Sequence, residues 1–191
     1  MTPFEFVFFL YAIMLSLALT HLIGGWAMAF RNASEIRWSA PLVLWAVNGL
    51  LLTTGNLSSF WLMRDAPDWN PALVLSNFAF AIVNYVWCVF MTPEVERGAV
   101  LDLEDFEERE RRRYLAAAIV LELIALGSNI ANGVFAAYDN WFSDLALTTL
   151  DLAVTVGALV ARERWLRIAM AASITAIGLF FIISATNIIG T

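Results

Sequence analysis

The sequence contains no lysine, one cysteine and one histidine, and charged residues make up only 15% of its 191 positions. Each shortage excludes something. Without lysine there is no retinal-type Schiff base and no amine nucleophile. Cys88 alone cannot form an intramolecular disulfide, and a lone thiol in an apolar run is ordinarily packing. A single histidine excludes a haem held by two. A zinc site would need His21, Glu122 and Asp151 to converge with no second nitrogen or sulfur ligand, so no metal and no cofactor is expected. Walker, Rossmann, GxSxG and HExxH patterns are missing. No broad basic surface offers itself to nucleic acid.

What the chain has instead is apolar length. Hydrophobic residues make up 61% of it, and the mean hydropathy is +0.74. Six runs, at 4–30, 39–63, 72–92, 114–138, 141–161 and 166–189, each approach or exceed the ~20 residues that cross a hydrocarbon core. They predict an all-α, polytopic integral membrane protein with six transmembrane helices. Ala27-Met28-Ala29 imitates a signal-peptidase site, but no cation precedes the first run and it is longer than an ordinary signal h-region. It reads as the first membrane helix. Arg64 to Pro71, with two prolines and two aspartates, reads as a loop, and Asp139-Asn140 as a very short link.

The net charge of -6 is local, since eight of the seventeen acids fall between Glu94 and Glu110. Ten of the eleven arginines lie in the links after the first, third and fifth runs, counting Arg167, and Arg64 alone follows the second. By the positive-inside rule those three links are cytoplasmic and both termini are outside, an N-out, C-out topology. Trp38, Trp61, Trp69, Trp141 and Trp165, with Tyr114 and Tyr138, sit near the ends of the runs, as an aromatic belt requires. One membrane domain results, made of 1–93, a charged segment 94–113, and 114–191. Each half has an odd number of spans, the arithmetic of an inverted repeat, yet the halves share only apolar character.

Ionisable residues inside a membrane are costly and are candidates for function. Measured from the arginine-rich end at 1.5 Å per residue, each run places a polar group about 12 to 15 Å deep. These groups are His21, Asn48, Asn84, Glu122, Asp151 and Thr175. They are read as one polar layer whose titratable members are His21, Glu122 and Asp151. An imidazole beside carboxylates can exchange a proton near neutral pH; the same groups could instead be structural hydrogen bonds between helices. A second set, Asn56, Asn77, Asn129, Asn132 and Thr148, lies nearer the outer face. It would line a solvated entrance or pair helices. Gly127 with Ala131, and Gly157 with Ala161, have the small-xxx-small spacing of close helix approach.

In the charged segment, Asp105 with Arg109, Glu107 with Arg111, and Glu108 with Arg112 are i,i+4 pairs in the favoured order, each worth about 0.2 to 0.5 kcal/mol. The spacing predicts that the fourth helix begins near Asp102 and projects about 18 Å into the cytoplasm. Its solvated face, with Glu104, Glu107, Glu108, Arg111, Arg112 and Arg113, is the candidate docking surface for a cytoplasmic protein.

Phe4-Glu5-Phe6-Val7 leading into Leu15-Ser16-Leu17-Ala18-Leu19-Thr20, and Leu101-Asp102-Leu103 leading through Arg111-Arg112-Arg113-Tyr114, resemble a group of small bacterial multi-helix membrane proteins. The likeness covers the start of the first run and the charged segment. It implies a multi-pass location in the bacterial inner membrane and brings no activity or binding residues with it.

Three functions are carried forward. The first is a transport or channel-like protein, homo-oligomeric because so small a bundle leaves little room for a pore, embedded among membrane lipids and responsive to protons through the polar layer. The second is a non-catalytic membrane subunit or sensor that docks a cytoplasmic partner. The third is a lipid-modifying enzyme using a carboxylate and a histidine as acid and base, for which no substrate-binding pattern is present.

Overall fold

The structure, a computed structural model, describes residues 2–62, 64, 71–94, 96–135 and 141–189. Of the expected loop at 64–71, residues 65–70 lie outside the described residues, as does the link at 139–140, and Pro71 already opens a helix. Six helices dominate: α1 (Pro3–Asn32), α2 (Ala40–Leu62), α3 (Pro71–Phe90), α4 (Leu103–Phe135), α5 (Trp141–Val160) and α6 (Arg164–Ile189). Among the described residues, α1 to α5 are each long and apolar enough to cross a membrane.

Local chemistry accounts for the helix starts. Thr2 and Glu5 form a capping box, with the Glu5 N–H donating to Thr2 Oγ1 at 3.2 Å and the Thr2 N–H to Glu5 Oε2 at 2.7 Å. Pro3 sits just inside, where its missing N–H costs nothing. At α4 the Asp102 carboxylate accepts from the backbone N–H of Glu104 and Asp105 at 3.1 and 3.0 Å, an acidic N-cap. Arg37 adds a side-chain contact to Asp102 at 3.3 Å. These hydrogen bonds, that from Asp105 first, hold the Asp102 carboxyl below the usual carboxylate range.

The chain is all-helical in class, as expected, and two short strands, β1 (Glu35–Arg37) and β2 (Val100–Asp102), are added to the six helices. They pair in parallel, with Glu35 opposite Val100, Ile36 opposite Leu101 and Arg37 opposite Asp102. What reads in sequence as a polar turn at 31–37 is therefore tied to the link after α3. Gly98, at φ +84, makes the bend, a conformation that glycine adopts without strain. Its N–H donates to Asn32 O at 2.8 Å, and the Ser34 N–H donates to Ala99 O at 2.9 Å.

Packing runs α1 on α3, α3 on α4, α4 on α5, α5 on α6, α6 on α2 and α2 back on α1, a closed ring of six. Its centre is filled by Trp45, Trp87, Met91, Tyr114, Leu115 and Ile174, all buried. The two halves are not arranged alike. α1 packs closely on α3, whereas α4 and α6 are joined by long side chains rather than by close backbone packing.

Polarity is reversed relative to a soluble fold. Leu75 and Val160 are each 70% exposed and Phe9 and Met28 face outward, while Asn48, Thr53 and Asn84 are buried. Such a surface avoids water and suits lipid.

Candidate functional site

The residues expected to form one layer fall into four separate contacts. On the α1–α3 side, the His21 ring lies 5.8 Å from that of Tyr85. Between α2 and α3, Asn84 Nδ2 donates to Thr53 Oγ1 at 3.0 Å, with Cys88 Sγ 3.9 Å from the same hydroxyl. Between α2 and α6, Asn48 Nδ2 and Thr175 Oγ1 both donate to Ala171 O, at 3.2 and 2.9 Å. Between α4 and α5, Thr155 Oγ1 and Glu122 Oε1 are 2.6 Å apart. Asp151 is one turn before Thr155 on the same face of α5. Among the described residues no hydrogen bond joins His21 to either carboxylate.

The α4–α5 seam holds the most chemistry. Asn129 Nδ2 donates to Thr148 Oγ1 at 2.9 Å, and Thr148 Oγ1 in turn donates to Asp144 O. Asn129 is seven residues beyond Glu122, and Thr148 seven before Thr155, so both contacts obey one antiparallel register. Asp144, Thr148, Asp151 and Thr155 form a single polar stripe on α5, at the spacing that keeps side chains on one helix face. Glu122 Oε2 and Asp151 Oδ1 are buried in this seam with no hydrogen-bond partner. A buried carboxyl without a charge partner holds its charge only at a cost. The arrangement is chemically suited to take up a proton and to release it. Among the described residues, no three histidine, cysteine or acidic side chains are grouped as metal ligands.

Of the outer set, Asn129 and Thr148 are joined. Asn77 Nδ2 instead donates within its own helix, to Leu73 O at 2.8 Å. Asn56, on α2, is half-buried with no hydrogen bond to the others. The Asn132 side chain lies outside the described residues. Gly157 does meet α6, at Met170, but a side chain at Gly127 would enter open space, so only the first glycine serves close packing.

The charged segment differs most from its expected form. Glu107 is 3% exposed, not part of a solvated face. Its Oε2 accepts from Arg167 Nη1 of α6 at 2.7 Å, which replaces the expected pair with Arg111. Burial pushes the Glu107 carboxyl above its ordinary range, and the guanidinium groups of Arg167 and Arg111 pull it back. Arg111 is half-buried, and its Nη1 donates to Ala161 O at 2.9 Å, capping the end of α5. Glu104 remains exposed but is paired with Arg164. The start of α4 thus grips the α5–α6 turn at three points. Asp105 does pair with Arg109, at 3.3 Å, whereas the other two expected pairs do not form. Glu108, Arg112 and Arg113 stay exposed, and Arg113 is held by Glu110 at 2.9 Å.

The three arginine-bearing links meet at one end of the bundle, the first two through the strand pair and the third through this grip. Thr155 and Arg167 make contacts that residue-by-residue depth did not single out. Thr155 had a signal in the Asp144, Thr148, Asp151 spacing, and Arg167 had none. No family model matches the chain, and neither a curated protein nor a solved structure matches it.

Proposed function

We propose that this chain is a small multi-pass protein of a bacterial inner membrane that moves protons, or a solute together with protons, through the α4–α5 seam. In this reading all six helices span, the arginine-bearing links face the cytoplasm and both termini lie outside. The observation that carries it is the pair of buried, unpartnered carboxyl oxygens, Glu122 Oε2 and Asp151 Oδ1. Asn129, Thr148 and Thr155 extend a polar file along the same seam. A bundle whose centre is filled needs more than one copy to enclose a pathway, so the working unit is a homo-oligomer among membrane lipids.

The test uses protein reconstituted into liposomes with an entrapped pH-sensitive dye and an imposed pH gradient. Glu122→Gln and Asp151→Asn should each abolish the protein-dependent proton flux. His21→Ala, in the separate α1–α3 contact, should retain it. Flux in the two carboxyl variants equal to that of the parent would reject the proposal.

A second reading is a non-catalytic subunit or sensor that docks a cytoplasmic protein on the outward face of the α4 extension. It is favoured by Glu108 and Arg112, which are exposed and form no ion pair among the described residues. Exchanging both for alanine should then remove a partner from pull-downs; unchanged partners would reject it.

A further inference from the structure

We propose that the cleft between the end of α3 and the start of α4 seats the headgroup of a phospholipid carrying a primary ammonium, with Glu94 receiving the ammonium and Arg109 the phosphate. The inference rests on the membrane reading but not on proton movement. The cleft has a volume of about 220 Å³ and is lined by Phe90, Glu94, Phe106, Arg109 and Glu110, among others. Phe90 closes the apolar span of α3, and Arg109 lies a little over one turn before buried Tyr114. The opening therefore sits at the level of the headgroups, where apolar surface gives way to charge.

Which groups are free decides what can bind. Glu110 already accepts from Arg113 at 2.9 Å and from Arg109 at 3.4 Å, so its charge is neutralised. Glu94 is exposed and has no ion pair or hydrogen bond among the described residues. Arg109 uses Nη1 for Asp105 and Nε for Glu110 while stacking 5.7 Å from the Phe106 ring centre. Its Nη2 edge is left to meet a phosphate oxygen, since a guanidinium carries five N–H groups. One free carboxylate and one free guanidinium edge between two phenyl rings match a zwitterion of phosphate and ammonium. Both a choline and an ethanolamine headgroup carry those charges, but only the primary ammonium donates hydrogen bonds to Glu94. An anionic headgroup would bring no cation to Glu94 and would meet its charge unfavourably.

The full chain is reconstituted into vesicles holding equal parts phosphatidylethanolamine, phosphatidylcholine and phosphatidylglycerol. It is then re-extracted in mild detergent, and the lipids that co-purify are quantified. Phosphatidylethanolamine should be retained about two- to fivefold over the other two, with retention near unity in Glu94→Gln and in Arg109→Gln. Both positions are exposed, and continued shielding of Cys88 from a thiol reagent shows that the variants are folded. Equal retention of all three lipids, preference for another headgroup, or an unchanged preference in both variants would overturn the site. Protein that fails to float with the vesicles would overturn the membrane reading as well, whereas protein that floats without selectivity overturns the site alone.

Discussion

Replacing Arg167 with methionine tests whether the α4 extension is a clamp or a solvated arm. Glu107 is 3% exposed, with one oxygen on Arg167 at 2.7 Å and the other buried without a hydrogen bond. Methionine fills much of the same volume but leaves a buried carboxylate whose nearest cation, Arg111, is already committed to Ala161 O. Removing one partner of a buried pair costs about 3 to 5 kcal/mol. The Arg111 charge offsets part of this, which places the expected loss near the lower figure, about 3 kcal/mol. For a chain of this size that corresponds to a fall in Tm of about 6 to 12 °C. Cys88, the only cysteine and buried, supplies the assay. A thiol-reactive fluorophore added to detergent-solubilised protein reports unfolding alone.

The pH dependence gives the sharper criterion. Burial raises the Glu107 carboxyl above its unfolded value, so its protonated form favours the fold. That contribution is fully present below the ordinary carboxylate value and is lost as pH rises through the folded pKa. Removing Arg167 takes away the largest influence opposing the rise, so the variant's deficit should be small at about pH 4.5 and large at about pH 8. Glu107→Gln combined with Arg167→Met removes both charges and should return to within about 1 kcal/mol of the parent. An equal deficit at both pH values, or a double variant as unstable as the single one, would refute the clamp.

Two further outcomes follow from local geometry. At Gly25 an added methyl collides with Thr92 Cγ2, so Gly25→Ala should cost about 1 to 3 kcal/mol in the same fluorophore melt. Thr92→Ser should relieve that cost, because it deletes the colliding methyl and keeps the hydroxyl bond to Cys88 O. Gly157→Ala, which meets only the flexible end of Met170, should change stability far less. Asp102→Ala should destabilise the start of α4 at neutral pH. Because Asp102 is held below the usual carboxylate range, its stabilisation is present above the unfolded pKa and is lost as pH falls through the folded one. The gap between parent and variant in acid melts should therefore close below about pH 4, and a gap independent of pH would reject the capping role.

The helices were legible because each is written locally. Apolar length between polar breaks placed the first predicted helix, 4–30, within a few residues of Pro3–Asn32, and 141–161 within one of Trp141–Val160. Arginine counts grouped the three links that the structure brings to one end. The strand pair was not legible. It joins segments 65 residues apart through three residues each, and so short a parallel pairing imposes no period on either segment. The Glu107–Arg167 contact spans 60 residues and failed for a related reason. On α4 alone Glu107 has a better-placed partner four residues on, and only the position of α6 shows that this face is turned inward.

The polar layer shows why depth alone could not settle a site. A residue count fixes how far along its helix a side chain lies, but direction around the axis decides whom it meets. His21 and Glu122 share a depth and still belong to different contacts of the ring, α1 against α3 and α4 against α5. Direction is recoverable where one helix carries several polar groups, since Asp144, Thr148, Asp151 and Thr155 can share a face only in one orientation. That stripe faces Glu122 and Asn129 in a single antiparallel register. His21 has no comparable polar companions on α1, and its ring lies beside that of Tyr85. Elsewhere the layer closes on itself, Asn84 on Thr53 and Asn48 on the Ala171 carbonyl, which is how a bundle hides polar groups from lipid. Among the described residues, buried carboxyl oxygens without a donor are left on Glu107, Glu122 and Asp151, and of these three acids Glu107 alone has an arginine partner. Pairing would have sufficed for structure, so the unpaired acids, rather than the shared depth, are the reason to seek function at Glu122 and Asp151.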